Sequence, residues 1–314
     1  MLRISITVNP NKDKDLIYTK QLLAVLSEYD VRVCMSDVFK KPYGEHPPVA
    51  DSLLAGYPIE YLPEYLLFRK ADLCIVFGGD GTILKIAKKA ASAGAYILGV
   101  NLGRIGYIAE LETGEIDLLR RILAIGDITE LEHLDGVRID ERMMLRADLV
   151  RDGKILHSGL ALNDIVISKG AVSRMAELDL FCDGKPISSY RADGIVVATP
   201  TGSTAYCMSA GGPIIDPALE CICAVPVCPY MCIHAGAVVF SDRSVIEVRF
   251  QADKINEAFC TIDGMAVKSM YNGDVIRITK STLRTKLVRL KEVDFYSLLN
   301  RKLAMAQLTP ESRS

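Results

Sequence analysis

The 314-residue chain has no stretch approaching the ~18 consecutive apolar residues of a membrane span, and its first residues lack the charged-then-apolar pattern of a secretory signal. A cytoplasmic protein with no membrane partner is expected on both counts. It also has no long run of one charge sign. With 37 Lys and Arg against 39 Asp and Glu, the net charge is −2, so the footprint of a nucleic-acid binder is missing and a small partner is expected. Among its nine cysteines, Cys221, Cys223, Cys228 and Cys232 crowd together without a Cys-x-x-Cys knuckle. In apolar, Pro-punctuated sequence that spacing predicts reduced, buried strand residues rather than a zinc site. No repeat of solenoid period is found. Also missing are a Gly-x-x-x-x-Gly-Lys-Ser/Thr loop, a protein-kinase signature and a Gly-x-Gly-x-x-Gly after a strand, which argues against those ATP-binding classes and against an ordinary nicotinamide dehydrogenase. What the chain does have is 50% hydrophobic residues, ample for one large or two ordinary packed domains.

The most informative stretch is Gly78-Gly79-Asp80-Gly81-Thr82, between an apolar run, Leu73 to Phe77, and helix-forming sequence that opens at Ile83. A strand that ends in glycines and leads into a helix suits phosphate, because glycines let the backbone approach closely and helix-start N–H groups point at the ligand. Asp80 adds a carboxylate that would repel a polyphosphate. It makes sense if it takes a proton, meets a metal ion or faces a hydroxyl that becomes a nucleophile, and phosphoryl transfer uses any of these. The plainer reading is a tight turn, in which Gly and Asp are common.

Leu2 to Val8 alternates as a short strand and breaks at Asn9-Pro10; Asp13 then caps a helix with Leu16, Ile17, Leu22, Leu23 and Leu26 on one buried face. Val31 to Met35 is the next strand. Between Asp37 and Pro63, five prolines and scattered charges predict an irregular surface excursion. The helix after the glycine loop runs to about Ala93, with Gly94 as its C-cap, and strand Tyr96 to Val100 leads into a second glycine-bearing loop, Asn101 to Tyr107. Strands alternating with helices predict a doubly wound, mainly parallel sheet whose ligands sit beyond the carboxyl ends of the strands, so both loops open on one side.

A Leu- and Ile-rich helix is predicted from about Ile116 to Ala124, and after it the pattern becomes mainly β. Val137–Val150, Ile155–Ser158, Ala161–Ser168, Glu177–Cys182 and Ile195–Ala198 read as strands, with Asp152-Gly153 and Asp183-Gly184 as hairpin turns. Val238–Phe240, Ser244–Phe250, Phe259–Ile262 and Asp274–Ile278 continue the series, Asp294–Ala306 reads as a closing helix, and the polar tail from Thr309 is expected to be disordered. Two polar constellations lie in this half. Asn163-Asp164 is either turn chemistry or an amide and carboxylate able to grip a base edge and a ribose diol. Arg191-Ala192-Asp193-Gly194 precedes a strand that delivers Thr199 to Tyr206, where hydroxyls, Gly202 and Tyr206 offer donors and an aromatic face to a nucleotide, or else a helix cap followed by the Gly211-Gly212-Pro213 turn.

Gly78 to Thr82, the loop Gly103-Arg104-Ile105-Gly106-Tyr107, Leu162-Asn163-Asp164, Ala192-Asp193-Gly194 and Thr199 to Tyr206 with Ser209 to Pro213 resemble the NAD kinases, in this order and at similar spacing, over about residues 70–280. Lipid kinases of the diacylglycerol type share only the glycine-Asp loop, and a non-catalytic NAD- or NADP-binding regulator could lose Asp80. The resemblance implies transfer of the terminal phosphoryl of ATP, with Mg2+ or another divalent metal, to the 2′-hydroxyl of the adenosine ribose of NAD. It implies an α/β domain (1–125), a β-rich domain completing the NAD site (126–280), and a C-terminal strand and helix returning toward the first domain (281–314). It also implies a homo-oligomer, dimer or tetramer. Asp80 is then the essential acid, as general base or metal organiser, and Gly81 packs against the dinucleotide with Gly79, Thr82 and Arg104 around it. Tyr107 stands where the family commonly has Phe. Asn163 and Asp164 match an Asn-acid pair holding ribose and adenine groups, with Asp where many relatives carry Glu. Arg191, Asp193, Thr201, Ser203, Thr204, Ala205 and Tyr206 contact the rest of the nucleotide. The segment Cys228 to Ala237, with His234, keeps the family's Cys-Pro start but lacks its His-Ser and Arg-Pro.

Overall fold

The computed structural model describes residues 1–41, 49–103, 106–170, 175–230, 236–251 and 257–307. The expectations for the tail from Thr309, and for Arg104, Cys232 and His234, fall outside them. The chain divides into two compact units, residues 1–141 with 285–314, and residues 142–284.

The first unit is the α/β one. Its strands are β1 (Leu2–Val8), β2 (Val31–Ser36), β3 (Ile59–Leu62), β4 (Leu73–Gly78), β5 (Tyr96–Asn101) and the two-residue β6 (Leu111–Glu112). They pair in parallel in the order β5-β4-β1-β2-β3, with β6 and the segment Lys286–Leu287 also parallel to β5. The chain therefore winds outward through β1, β2 and β3, returns to place β4 on the other side of β1, and winds outward again. That reversal is a topological switch point between β1 and β4. All six residues of β4 and of β5 are buried, as central parallel strands covered on both faces must be. The region after Asp37 is more regular than its prolines suggest: it holds a 3-10 turn at Asp37–Lys40, one helical turn at Val49–Ser52, and β3, which buries Leu62 as the edge strand, while 42–48 lie outside the described residues. The helix expected at 116–124 is instead a 3-10 run, Thr113–Leu119, followed by one α-turn, Arg120–Leu123.

The second unit is almost wholly antiparallel. After β7 (Arg138–Arg151) and β8 (Lys154–Ala161) come β9 (Asp164–Lys169), β10 (Ala176–Cys182), β11 (Lys185–Ala192), β12 (Gly194–Ala198), β13 (Cys221–Val227), β14 (Val238–Ser241), β15 (Ile246–Gln251), β16 (Ala258–Ile262), β17 (Met265–Met270) and β18 (Val275–Arg289), whose last residues belong to the first unit. One sheet runs β14-β13-β12-β9-β16-β17. Its two faces pack differently. Ile165, Ile167, Ile195, Val197 and Ile222 enter a core shared with Leu178, Leu180, Val248, Phe250 and Ile276, whereas Val166, Val196, Ala198, Cys223 and Val225 pack against Cys207 and Ile215. The segment after Thr199 is thus the cover of the second face, which is why β12 reads as an unbroken apolar run instead of alternating. Asp152-Gly153 and Asp183-Gly184 form their hairpin turns with both residues at positive φ, and Asp263-Gly264, between β16 and β17, does the same.

Candidate active site

Asp80 is the first residue of the 14-residue helix Asp80–Ala93, directly beyond the carboxyl end of β4 and so at the switch point. Its carboxylate is already engaged: Oδ2 accepts from Tyr107 N at 2.7 Å, and Oδ1 from Ile108 N at 3.1 Å and Ala109 N at 3.3 Å. The two glycine loops are therefore laced together by the acid itself. Gly106 permits this approach, because a β-carbon there would overlap the Asp80 carboxylate. Lys12, in the loop after β1, was not anticipated from sequence. A β-carbon on Gly79 would stand 3.2 Å from its ammonium and one on Gly103 3.1 Å, and the ammonium has no hydrogen-bond or ion-pair partner among the described residues. Only its place just past the end of the first strand hinted at this position.

Behind the Tyr107 loop, Arg289 donates to Ile108 O at 2.9 Å and pairs with Glu110 at 3.2 Å and Asp140 at 3.1 Å. Leu290 N and Lys291 N both donate to the other Glu110 oxygen at 2.8 Å. The Tyr107 ring faces the C-terminal helix Phe295–Gln307, with the Phe295 centroid 6.3 Å away and Lys302 Nζ 3.4 Å from its own centroid. Burial, and then the Asp80 charge, hold the Tyr107 hydroxyl above the usual tyrosine range.

In the second unit, Asn163 and Asp164 stand at the start of β9 and are set by a residue the sequence reading passed over. The Asp263 carboxylate accepts from Leu162 N at 2.8 Å, Asn163 N at 2.8 Å and Asp164 N at 3.1 Å, and its own N–H donates to Asp164 O at 3.0 Å. The third Asp-Gly turn was the signal that could have found it. Both residues of the pair are buried, and Asn163 Oδ1 has no partner among the described residues. Desolvation, and then the Asp263 charge, push the Asp164 carboxyl up to about 7.

Thr199 ties the next segment to this pair: its N–H donates to Asn163 O at 2.9 Å, its hydroxyl donates to Leu162 O at 2.6 Å, and it accepts from Gly202 N at 3.0 Å. Gly202 lies so close to the Asn163 backbone that a β-carbon would overlap it. Thr201 accepts from the buried Arg142 at 3.2 Å. Ser203 is fully buried; its hydroxyl donates to Pro200 O at 2.7 Å and accepts from Ile215 N at 2.9 Å, so it holds the turn. Thr204 is partly buried, and Tyr206, beyond Ala205, is 44% exposed. Arg191 and Asp193 lie elsewhere. They precede the opposite end of β12, about 17 Å along the strand from Thr199, with Arg191 3.5 Å from Glu177 and Asp193 2.7 Å from Lys169.

Residues 4–128 match the family model of the ATP-NAD kinase N-terminal domain and residues 162–290 that of the ATP-NAD kinase C-terminal domain. The NAD kinase of Natranaerobius thermophilus is 36% identical over 307 residues, covering 96% of this chain and 99% of that protein. The chain belongs to the NAD kinase family. The NAD kinase of Acetivibrio thermocellus is likewise 36% identical over 304 residues, covering 96% and 97%. As a family member the chain is a phosphotransferase with an alcohol acceptor. Its fold is that of yeast NADH kinase, solved with NADH (TM-score 0.82, 23% identity, 98% of this chain and 89% of that one). It is also that of an NAD kinase from Archaeoglobus fulgidus solved with ATP (TM-score 0.68, 24% identity, 96% and 99%). The expected α/β unit and mainly β unit are those of NAD kinases.

Proposed function

We propose that the chain transfers the terminal phosphoryl of ATP to the 2′-hydroxyl of the adenosine ribose of NAD, giving NADP and ADP, with Asp80 as the acid at the reacting hydroxyl. The observation that carries this reading is the Asp80 carboxylate at a helix N-terminus on the topological switch point, with the Lys12 ammonium close to the adjoining Gly79 and without a partner among the described residues. A ribose hydroxyl is a poor nucleophile, and phosphoryl transfer depends mostly on positioning and charge stabilisation. Of about four lone-pair positions on a carboxylate, Asp80 gives three to backbone amides. The one left, on Oδ2, is fixed in direction and serves the hydroxyl proton or a metal ion. As the bond from O2′ to phosphorus forms, the bond from phosphorus to the ADP oxygen breaks, ADP leaves with the electron pair, and the hydroxyl proton passes to Asp80 and on to solvent.

Among the described residues no cluster of three or more His, Cys, Asp or Glu side chains could cage a metal alone. The lone pair left on Asp80 Oδ2 fits a divalent ion such as Mg2+ that would arrive on the phosphates of ATP and neutralise their charge. Lys12, Gly79, Gly81 and Thr82 face phosphate, with Tyr107 beside them. In the second unit, the Asn163 oxygen, unpaired among the described residues, and Asp164 take ribose and adenine donors, Thr201, Thr204, Ala205 and Tyr206 contact the nucleotide, and Arg191 and Asp193 serve its far end. The family resemblance supports a cytoplasmic homo-oligomer, dimer or tetramer, to be checked by light scattering.

The test is NADP formation from NAD, ATP and magnesium by the purified chain, beside Asp80→Asn. The variant is expected to bind NAD within about threefold of the original, under ~0.7 kcal/mol, and to lose about 10²–10⁴-fold in kcat. Near-normal turnover in Asp80→Asn ends the role given to this residue.

A further inference from the structure

The C-terminal helix Phe295–Gln307 brings a lysine to the Asp80 end of the first unit that none of the sequence motifs contains. Lys302 Nζ lies 3.4 Å from the centroid of the Tyr107 ring, and the backbone N–H of Tyr107 is the one that donates to Asp80 Oδ2 at 2.7 Å. The ammonium is partly buried, with no ion pair among the described residues. A partly desolvated cation ordinarily meets a carboxylate, and a tyrosine face offsets only part of its lost hydration. Asp80, whose charge acts on it, is already committed to three amides. The Phe295 ring of the same helix packs against that of Tyr107, with centroids 6.3 Å apart. A cation with no ion pair among the described residues, seated on the ring of the residue whose amide fixes a mostly occupied carboxylate, is arranged for an anion that arrives later.

We propose that Lys302 is a further catalytic residue, whose ammonium contacts the phosphoryl group in transit and stabilises the charge that spreads over its equatorial oxygens. This rests on the phosphoryl-transfer reading above. Lys302 gives up no proton. It is a fixed positive charge opposite the hydroxyl's acceptor, so that Asp80 handles the proton and Lys302 the phosphoryl oxygens. The Tyr107 ring then acts as a platform that aims the ammonium, and the C-terminal helix is part of the active site and not an appendage.

The test uses the full chain with Lys302→Ala, Lys302→Met and Lys302→Arg, each checked for folding by circular dichroism and assayed for NADP formation with and without added ethylammonium. Lys302→Ala and Lys302→Met are expected to lose about 10²–10³-fold in kcat, the scale of removing one transition-state donor, while KM for NAD moves less than about threefold, ~0.7 kcal/mol. Lys302→Arg is expected to keep a substantial part of the rate, and ethylammonium to restore Lys302→Ala in a saturable way. Methionine keeps the apolar stem over Tyr107, so a purely structural lysine would leave Lys302→Met active. A kcat within twofold in Lys302→Met, or a loss that neither arginine nor ethylammonium relieves, overturns the proposal. An original chain that makes no NADP overturns instead the reading on which it rests.

Discussion

Asp164 carries a cost that the fold tolerates. It is 6% exposed, and burial together with the nearby Asp263 raises its carboxyl from the usual 3.8 to about 7. Below pH ~4 the group is protonated in the folded and unfolded chain alike and costs nothing. As pH rises from there to about 7, the unfolded chain releases a proton that the folded one keeps, so stability falls through this window and levels off above it. A shift of this size corresponds to at most about 4 kcal/mol. Asp164→Asn removes the charge while keeping the shape. It is expected to be about 2–4 kcal/mol more stable than the original at pH 8 and close to it at pH 4, by urea unfolding at both pH values. An equal difference at the two would remove ionisation as the cause. The same residue should gate binding in the opposite sense: a ribose diol donates best to the ionised form, so NAD affinity is expected to rise with pH through about 7 in the original chain and to stay flat in the variant.

At the scale of elements, the turn Thr201–Thr204 is held against the start of β9 by backbone contact more than by side chains. Gly202 meets Asn163 O, C and Cα, none of which can move without breaking the Thr199 N to Asn163 O bond. Gly202→Ala is therefore expected to cost about 1–3 kcal/mol and to raise KM for NAD, because the pair Asn163-Asp164 shifts with its own backbone. Unchanged stability and KM would show that the corner relaxes freely. This contact also marks where sequence stops being informative. Alternation and Asp-Gly turns located most strands of the second unit, and a glycine-ended strand before a helix located Asp80, since those signals are local. Edge strand β3 hid behind Pro58 and Pro63, which break a pattern without preventing a four-residue parallel pairing at a sheet margin. Asp263, Lys12 and Lys302 were invisible for another reason: each acts on residues brought near only by the fold, Asp263 from 99 positions beyond Asp164.

Over the whole molecule, the chain does not divide where its family models do. The C-terminal model runs to residue 290, yet residues 285–314 belong to the first compact unit. Arg289 shows why that return matters. Its side chain, 9% exposed, holds Glu110 (7%) and Asp140 (16%) and donates to Ile108 O, within the loop whose amides fix Asp80. Removing the guanidinium takes away a cation shared by two carboxylates in a poorly hydrated place, a loss of up to about 3–5 kcal/mol. Arg289→Met should thus lower the urea midpoint and also slow turnover, because the Tyr107 to Ala109 amides would no longer hold Asp80 in one direction. Arg289→Lys keeps the charge but not the fork that spans two acids and a carbonyl, so it should fall between the two. If Arg289→Met were as stable as the original, the closing strand would be a passive edge of the first unit. If it were destabilised as expected but turned over normally at low temperature, the loop would hold Asp80 without help from the chain's end.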